Sequence, residues 1–364
     1  MNKYLNHALF YLLPAAFVAG AHFFYYSDRT DAPGPDDSRI RYLAVPSDRK
    51  HDLAALDEIY VEGDISKDSL KAFRETIDRH NLKHAKVIFN SEGGNLEDAI
   101  ELGYLIRDLG FSTDVGEYTG TWDDSYTAAC FSACTAAFIG GKFRYFHPES
   151  QFGVHRYKTT GTPYTYGTEE AEADAQQFSG YILDYITGMG IDPQFYEITV
   201  AQDHEDIEYL GNEELIKLKV VNNGAQDPVW EMGMDASGGV LNGRQERPGQ
   251  DGTVSLRCAD GLRVEFTDKR RQHDAAKPGK LRFRLLADGR EMDVTPQIGP
   301  ASTAEAKAPL KAVFRPTDEQ LLAMLGSDTI GLAYRGTDAM ESTYRIGIDK
   351  DRGRISDFIR FCRG

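Results

Sequence analysis

One serine, one histidine and a pair of adjacent glycines stand where side chains and backbone can do chemistry. Ser132 lies where an Asp/Thr-rich loop passes into a small-residue segment holding Ala133, Ala136 and Ala137. A hydroxyl at such a helix start faces outward, which suits a nucleophile and equally an N-cap. His155 closes an apolar stretch, where an imidazole serves either as a general base or as a buried, hydrogen-bonded core residue. Gly93 and Gly94 follow a strand-like run and precede a helix-like one, so free backbone N–H groups at that turn can hold an oxyanion. A serine attacking a carbonyl needs a base, a carboxylate orienting that base, and donors for the developing negative charge. Together these residue types point to acyl transfer. No HExxH, paired CxxC or Walker-type motif is present, and the spread of the remaining histidines gives no metal site. No cofactor is expected.

The elements that must position these residues are legible as alternating periods. Residues 58–63 and 85–90 read as strands, and 66–80 between them as a helix. Residues 96–109 follow helical spacing through Leu96, Ala99, Ile100, Gly103 and Ile106, although Gly103 weakens that helix. Residues 111–115 are a strand, 130–141 a buried small-residue helix, and 145–146 and 152–155 short strands. Residues 168–189 form a long helix, followed by a shorter one at 193–201 and a helix–strand pair over 212–221. This alternation predicts an α/β fold with a mostly parallel sheet. From Gly238 the signals turn to strands separated by Gly, Asp and Pro, which predicts a second, smaller β-sandwich-like domain ending in a helix through Ile355, Phe358, Ile359 and Cys362.

The order Gly-Gly, Ser, His, Asp matches a known family. Phe89-Asn90-Ser91-Glu92-Gly93-Gly94 resembles the Asn-Ser-Pro-Gly-Gly turn of ClpP-type serine peptidases, with Glu92 in place of the proline. Cys130-Phe131-Ser132-Ala133-Cys134 resembles their nucleophile helix, and Pro148 with His155 resembles their Pro-to-His strand. The resemblance spans residues 55–225 and implies a ClpP/crotonase-type spiral core. It makes Ser132, His155 and Asp203 the catalytic triad, with Asp203 placed by its spacing to Leu210. It gives the N–H groups of Gly93 or Gly94 and of Ala133 to the oxyanion hole. Sliding the register by two residues puts Cys134 in the nucleophile position. The implied partner is a protein or peptide substrate, and ring assembly in the family implies a homo-oligomer. Two other readings stand beside this one: a serine–lysine pair using Lys142, and a catalytically inactive scaffold or binding protein of the cell envelope on the same fold.

Composition and the chain's beginning bound the setting. The 364 residues carry a formal charge of -16, which opposes nucleic-acid binding. Residues 1–26 carry Lys3 and then an apolar run, interrupted by Pro14, Gly20 and His22, that reads as an export signal. Ala19-Gly20-Ala21 fits a cleavage site, and the run also suffices as a membrane anchor. Residues 27–52 read as a linker, 53–227 as the hydrolytic domain and 238–364 as the accessory domain, which places the protein in the periplasm or cell envelope. Four cysteines suit an oxidising compartment. Cys258 and Cys362 are expected to pair, while Cys130 and Cys134 are too far apart on a regular helix and bridge only if the backbone bends.

Overall fold

The computed structural model describes residues 40–45, 56–118, 127–157, 168–203, 205–236, 238–258, 260–269, 281–298, 309–335 and 341–363. It is a mixed α/β structure of several sheets, with two separate apolar cores. The first core gathers Ile59, Val87, Phe89, Ile100, Phe138, Phe152, Tyr185 and Leu215. Its four-stranded sheet has the order β1-β2-β3-β4, formed by Arg41–Val45, Asp57–Glu62, Ala85–Asn90 and Ser112–Val115. β2, β3 and β4 run parallel and β1 joins the edge antiparallel. Their connections are helices α1 (Ser69–His80) and α2 (Leu96–Asp108). A second sheet of three strands, Ala129–Phe131 (β5), Gln151–Val154 (β6) and Glu208–Tyr209 (β7), sits beyond it. Ser91 links the two sheets: its N–H donates to Ala129 O (2.8 Å) and its carbonyl accepts from Phe131 N (3.0 Å).

Helix α3 (Ala133–Ile139) is wholly buried and lies against α2. Gly103 allows that approach, because a Cβ there would lie 1.9 Å from Tyr185 Oη, which itself donates to Ala136 O at 2.6 Å. The Arg107 guanidinium donates to the carbonyls of Ile139, Gly140 and Gly141, satisfying the acceptors that a helix C-terminus leaves open. The lobe is completed by α4 (Thr168–Gly188), α5 (Gln194–Ala201) and α6 (Asn212–Lys217).

The second core belongs to two antiparallel sheets that share Trp230, Leu241, Val264, Phe283, Leu332, Tyr344 and Phe358. One has the order β14-β11-β10-β9-β8 and the other β13-β12-β15-β16. In sequence these are Val229–Asp235, Gly238–Arg244, Gly252–Cys258, Leu262–Asp268, Arg282–Ala287, Arg290–Asp293, Leu310–Phe314, Thr329–Arg335 and Ser342–Gly347, numbered β8 to β16. Helix α7 (Asp318–Leu325) is capped by a reciprocal Thr317–Gln320 box, and α8 (Arg352–Arg363) brings Cys362 to Cys258, with which it forms a disulfide. Ion pairs join the two lobes: Lys142 to Glu246 at 2.8 Å, and Lys219 and Lys350 to Asp227 at 2.7 Å each.

Several sequence expectations are corrected. The segment read as linker contains β1, an edge strand whose Tyr42 packs on Phe73; nearby prolines masked its alternation. β strands begin at Val229 rather than Gly238, because β8 is an edge strand whose Met232 and Met234 face outward. Residues 130–141 are not one helix: Cys130 belongs to β5 and α3 starts at Ala133. Neither residues 145–146 nor 220–221 form a strand. Among the described residues no helix is long and apolar enough to cross a membrane; the apolar run of residues 8–26 lies outside them.

Candidate active site

Ser132 occupies the break between β5 and α3 at φ 55°, ψ −126°. A non-glycine residue there is strained, at a cost of order 1–3 kcal/mol, and persists only because its surroundings hold it. Its N–H donates to Gly153 O at 2.9 Å, and its carbonyl accepts from Thr135 N (3.1 Å) and Thr135 Oγ1 (2.7 Å). A serine on a sharp strand-to-helix turn projects its hydroxyl at the top of a sheet, the arrangement known as a nucleophile elbow. Ser132 makes no side-chain capping bond, so its hydroxyl is not spent as the N-cap.

Both glycines have φ values that an L side chain rarely adopts, 117° for Gly93 and 125° for Gly94. A Cβ on Gly93 would come 2.9 Å from Ser132 Cβ and 3.0 Å from Ala133 N, so this turn is pressed against the elbow. Ser91 Oγ donates to Gly63 O at 2.6 Å and accepts from Gly93 N at 3.2 Å. The Gly93 N–H is therefore already used. Gly94 pairs with Ile65 through its neighbours: Ile65 N donates to Gly93 O and Asn95 N to Ile65 O. The N–H of Gly94 consequently points away from Ile65. Ala133 opens α3, so its N–H has no intrahelical acceptor.

His155 follows β6. Phe131 pairs with Gly153 in the parallel β5–β6 ladder, and since adjacent strands lie ~4.8 Å apart, Ser132 and His155 leave neighbouring strand ends. No hydrogen bond links Ser132 to His155 among the described residues. The Nδ1 of His155 instead lies 3.0 Å from Arg156 O. A carbonyl only accepts, so Nδ1 carries the proton and, in a neutral ring, Nε2 keeps its lone pair. Arg156 is held in turn by its Nε, which donates to Val200 O at 3.0 Å.

Asp203 is exposed, on the chain leaving α5, and its carbonyl accepts from Asp206 N. His155 is thus paired with a backbone carbonyl rather than a carboxylate. The acidic stretch around Asp203 runs into β7, antiparallel to β6 with Gly153 opposite Tyr209. Tyr209 meets Phe131 edge to face at 5.6 Å, and Ile207 Cγ2 lies against Gly153. An apolar wall of half-buried Phe131 with exposed Ile207 and Tyr209 therefore stands on the His155 face of this sheet, with Tyr209 57% exposed.

Two alternatives from the sequence are overturned. Cys134 carries no thiol, because its sulfur is bonded to Cys130. The Ser132 bend supplies the departure from helix that this bridge requires, with Cα atoms 5.3 Å apart. Lys142 is not a catalytic base in this arrangement: its ammonium pairs with Glu246 of the other lobe. What sequence reading missed is backbone in kind, namely the Arg156 carbonyl on His155 and the strand made by Glu208 and Tyr209. Only the alternation of apolar Ile207 and Tyr209 with acidic Asp206 and Glu208 hinted at the latter.

No protein-family model and no curated protein matches the chain. Among solved structures it is similar to a mutant of the 1510-N membrane-bound stomatin-specific protease, at 16% identity over 45% of this chain and 75% of that one, with a TM-score of 0.32. A second mutant of that protease, in complex with a substrate peptide, gives 16% identity, 45% and 71% coverage and a TM-score of 0.31. ClpP1 from Listeria monocytogenes gives 13% identity, 45% and 88% coverage and a TM-score of 0.34. The functional reading rests on the elbow and its neighbours, not on these partial likenesses.

Proposed function

We propose that the chain is a serine hydrolase of ClpP/crotonase type that cleaves peptide bonds in protein or peptide substrates outside the cytoplasm. One observation carries this reading: Ser132 sits at a strained strand-to-helix turn, with Gly93 packed against its Cβ and the Ala133 N–H beside it. Strain of this kind is retained where geometry is used. In this reading Ser132 Oγ attacks the carbonyl, and Nε2 of His155 takes its proton and later returns it to the leaving amine. The N–H groups of Gly94 and Ala133 receive the oxyanion. Asp203 supplies the carboxylate that holds the imidazolium once charge develops, with the Arg156 carbonyl fixing the tautomer beforehand. Catalytic hydrogen bonds are often long before substrate binds, which accommodates the separation of Ser132 and His155. The apolar wall of Phe131, Ile207 and Tyr209 would receive an apolar side chain. Export through residues 1–26, by cleavage or as an anchor to the inner membrane, belongs to the same proposal, as does homo-oligomerisation.

A second reading, a non-catalytic binding protein of the envelope, is favoured by the exposure of Asp203 and the engagement of His155 with Arg156 O. Intact-mass measurement after fluorophosphonate treatment separates the two. The hydrolase reading expects a single adduct on the folded protein that is lost in Ser132→Ala and reduced at least 100-fold in rate in His155→Ala. An unlabelled but folded wild type overturns the hydrolase reading and leaves the scaffold or binding reading the better one.

A further inference from the structure

The Cys130–Cys134 bridge closes a covalent ring that contains only Phe131, Ser132 and Ala133 between its ends. One end is in β5 and the other in α3, so the bridge spans the elbow itself. Both half-cystines are fully buried. Between them lie the residue with the strained backbone and the N–H assigned to the oxyanion. Noncovalent ties alone hold Ser132 at its amide and its carbonyl, through Gly153 O and Thr135. If those yield, the turn can relax toward ordinary φ, carrying the hydroxyl and the Ala133 N–H away from Gly94. A disulfide closing so short a loop restricts the unfolded chain far less than one closing a long loop, so its effect is local.

We infer that the Cys130–Cys134 disulfide is a positioning clamp: it locks Ser132 and the Ala133 N–H into one rigid unit facing Gly94, so that hydrolysis is fast only with the bridge closed. This rests on the hydrolase reading above. The two cysteines act through Ser132 and touch no reacting atom. Displacing a reactive group by about 1 Å typically costs on the order of 10²-fold in rate, which sets the size of the effect.

The test compares fluorophosphonate inactivation of wild type, Cys130→Ala/Cys134→Ala and Cys258→Ala/Cys362→Ala, resolving the maximal inactivation rate from the half-saturating concentration. The clamp expects the first double variant to lose about 10- to 100-fold in maximal rate, with half-saturation within about threefold of wild type and a preserved far-UV spectrum. The second double variant keeps the wild-type rate below its melting temperature. A purely structural bridge lowers the melting temperature without separating rate from saturation, and equal maximal rates in wild type and Cys130→Ala/Cys134→Ala overturn the inference. Where that variant does not fold, wild type is titrated with a dithiol, which is oxidised as each bridge becomes two thiols, and alkylation mass identifies the bridge opened. Labelling should then fall in step with opening of Cys130–Cys134 while secondary structure persists. Loss of labelling only together with secondary structure overturns the clamp. A wild type that never labels removes the hydrolase reading, and the clamp with it.

Discussion

Cys258–Cys362 joins residues 104 positions apart, whereas Cys130–Cys134 joins residues four apart. In the chain-entropy model the long loop is worth about 4–5 kcal/mol and the short one about 2 kcal/mol. The long bridge ties the last helix to β10 at the edge of the second core, where both half-cystines are only partly buried. The short one is fully buried beside Ser132. The β lobe therefore uses covalent chemistry to hold α8 onto a fold that hydrogen-bonded ladders already define. The α/β lobe uses it to hold a single strained turn. The glycines do not follow this division. In the α/β lobe, Gly93, Gly94 and Gly103 let backbone approach backbone or a tyrosine hydroxyl around the elbow and α3. In the β lobe, Gly261 and Gly289 turn strands into one another, while Gly238, Gly252 and Gly331 let one strand's backbone approach another's just as closely.

The largest effect that would sharpen this contrast is removal of the long bridge. Cys258→Ala/Cys362→Ala should lose about 4–5 kcal/mol in denaturant unfolding. A loss under 1 kcal/mol would mean that α8 is held by Ile355, Phe358 and Ile359 alone, and the assignment of a global role to this bridge would fail.

Next in size is Gly93→Ala. The new Cβ meets Ser132 Cβ and Ala133 N at φ 117°, so the turn must move off the elbow. The expected result is a loss of about 10²–10³-fold in fluorophosphonate labelling, the usual magnitude for a lost oxyanion donor. Stability should fall by only about 1–3 kcal/mol. A variant that labels at the wild-type rate would break the link between the glycine turn and the nucleophile.

The smallest effect lies between the lobes. Contacts from Lys219 and Lys350 outweigh burial and hold the Asp227 carboxyl below its usual range; Lys142 does the same for Glu246. Because their folded pKa values are lowered, these carboxylates stabilise the fold fully above the ordinary carboxylate range, and that contribution is lost as pH falls through the folded values. All are substantially exposed, so solvent screening limits each pair to about 0.5 kcal/mol. Hydrogen exchange, expressed as protection relative to the intrinsic amide rate at each pH, should show lower protection at residues 219–228 at pH 3 than at pH 7, with protection in the strands of both cores unchanged. Equal loosening of β3 and β10 would show that the lobes do not respond separately.

The strand–helix–strand opening was readable because Ile59-Tyr60-Val61 and Val87-Ile88-Phe89 are short apolar runs bounded by polar residues, the pattern of strands buried on both faces, and α2 and α4 keep a period near 3.6. The candidate nucleophile was readable as a residue type at a loop-to-helix transition. Its conformation was not. Small apolar residues on both sides of Ser132 look like one helix, and it is packing of Gly93 and the hydrogen bonds to Gly153 O and from Thr135 that accompany the break putting Cys130 on a strand. Gly103 shows the same limit: by propensity it weakens a helix, and in the fold it is the space that Tyr185 fills.

By itself, the sequence determined which segments alternate and which spiral, that a β-rich part follows the α/β part, and which few residues have the chemistry for acyl transfer. Those are properties of side-chain type and local period, carried by each segment alone. Tertiary structure decided the Ser132 turn, the closure of Cys130 onto Cys134, the direction of the Gly94 and Ala133 N–H groups, and the pairing of His155 with Arg156 O. Each of these depends on backbone groups brought together from distant segments, and backbone groups are the same in every residue. Their placement is written only in the packing.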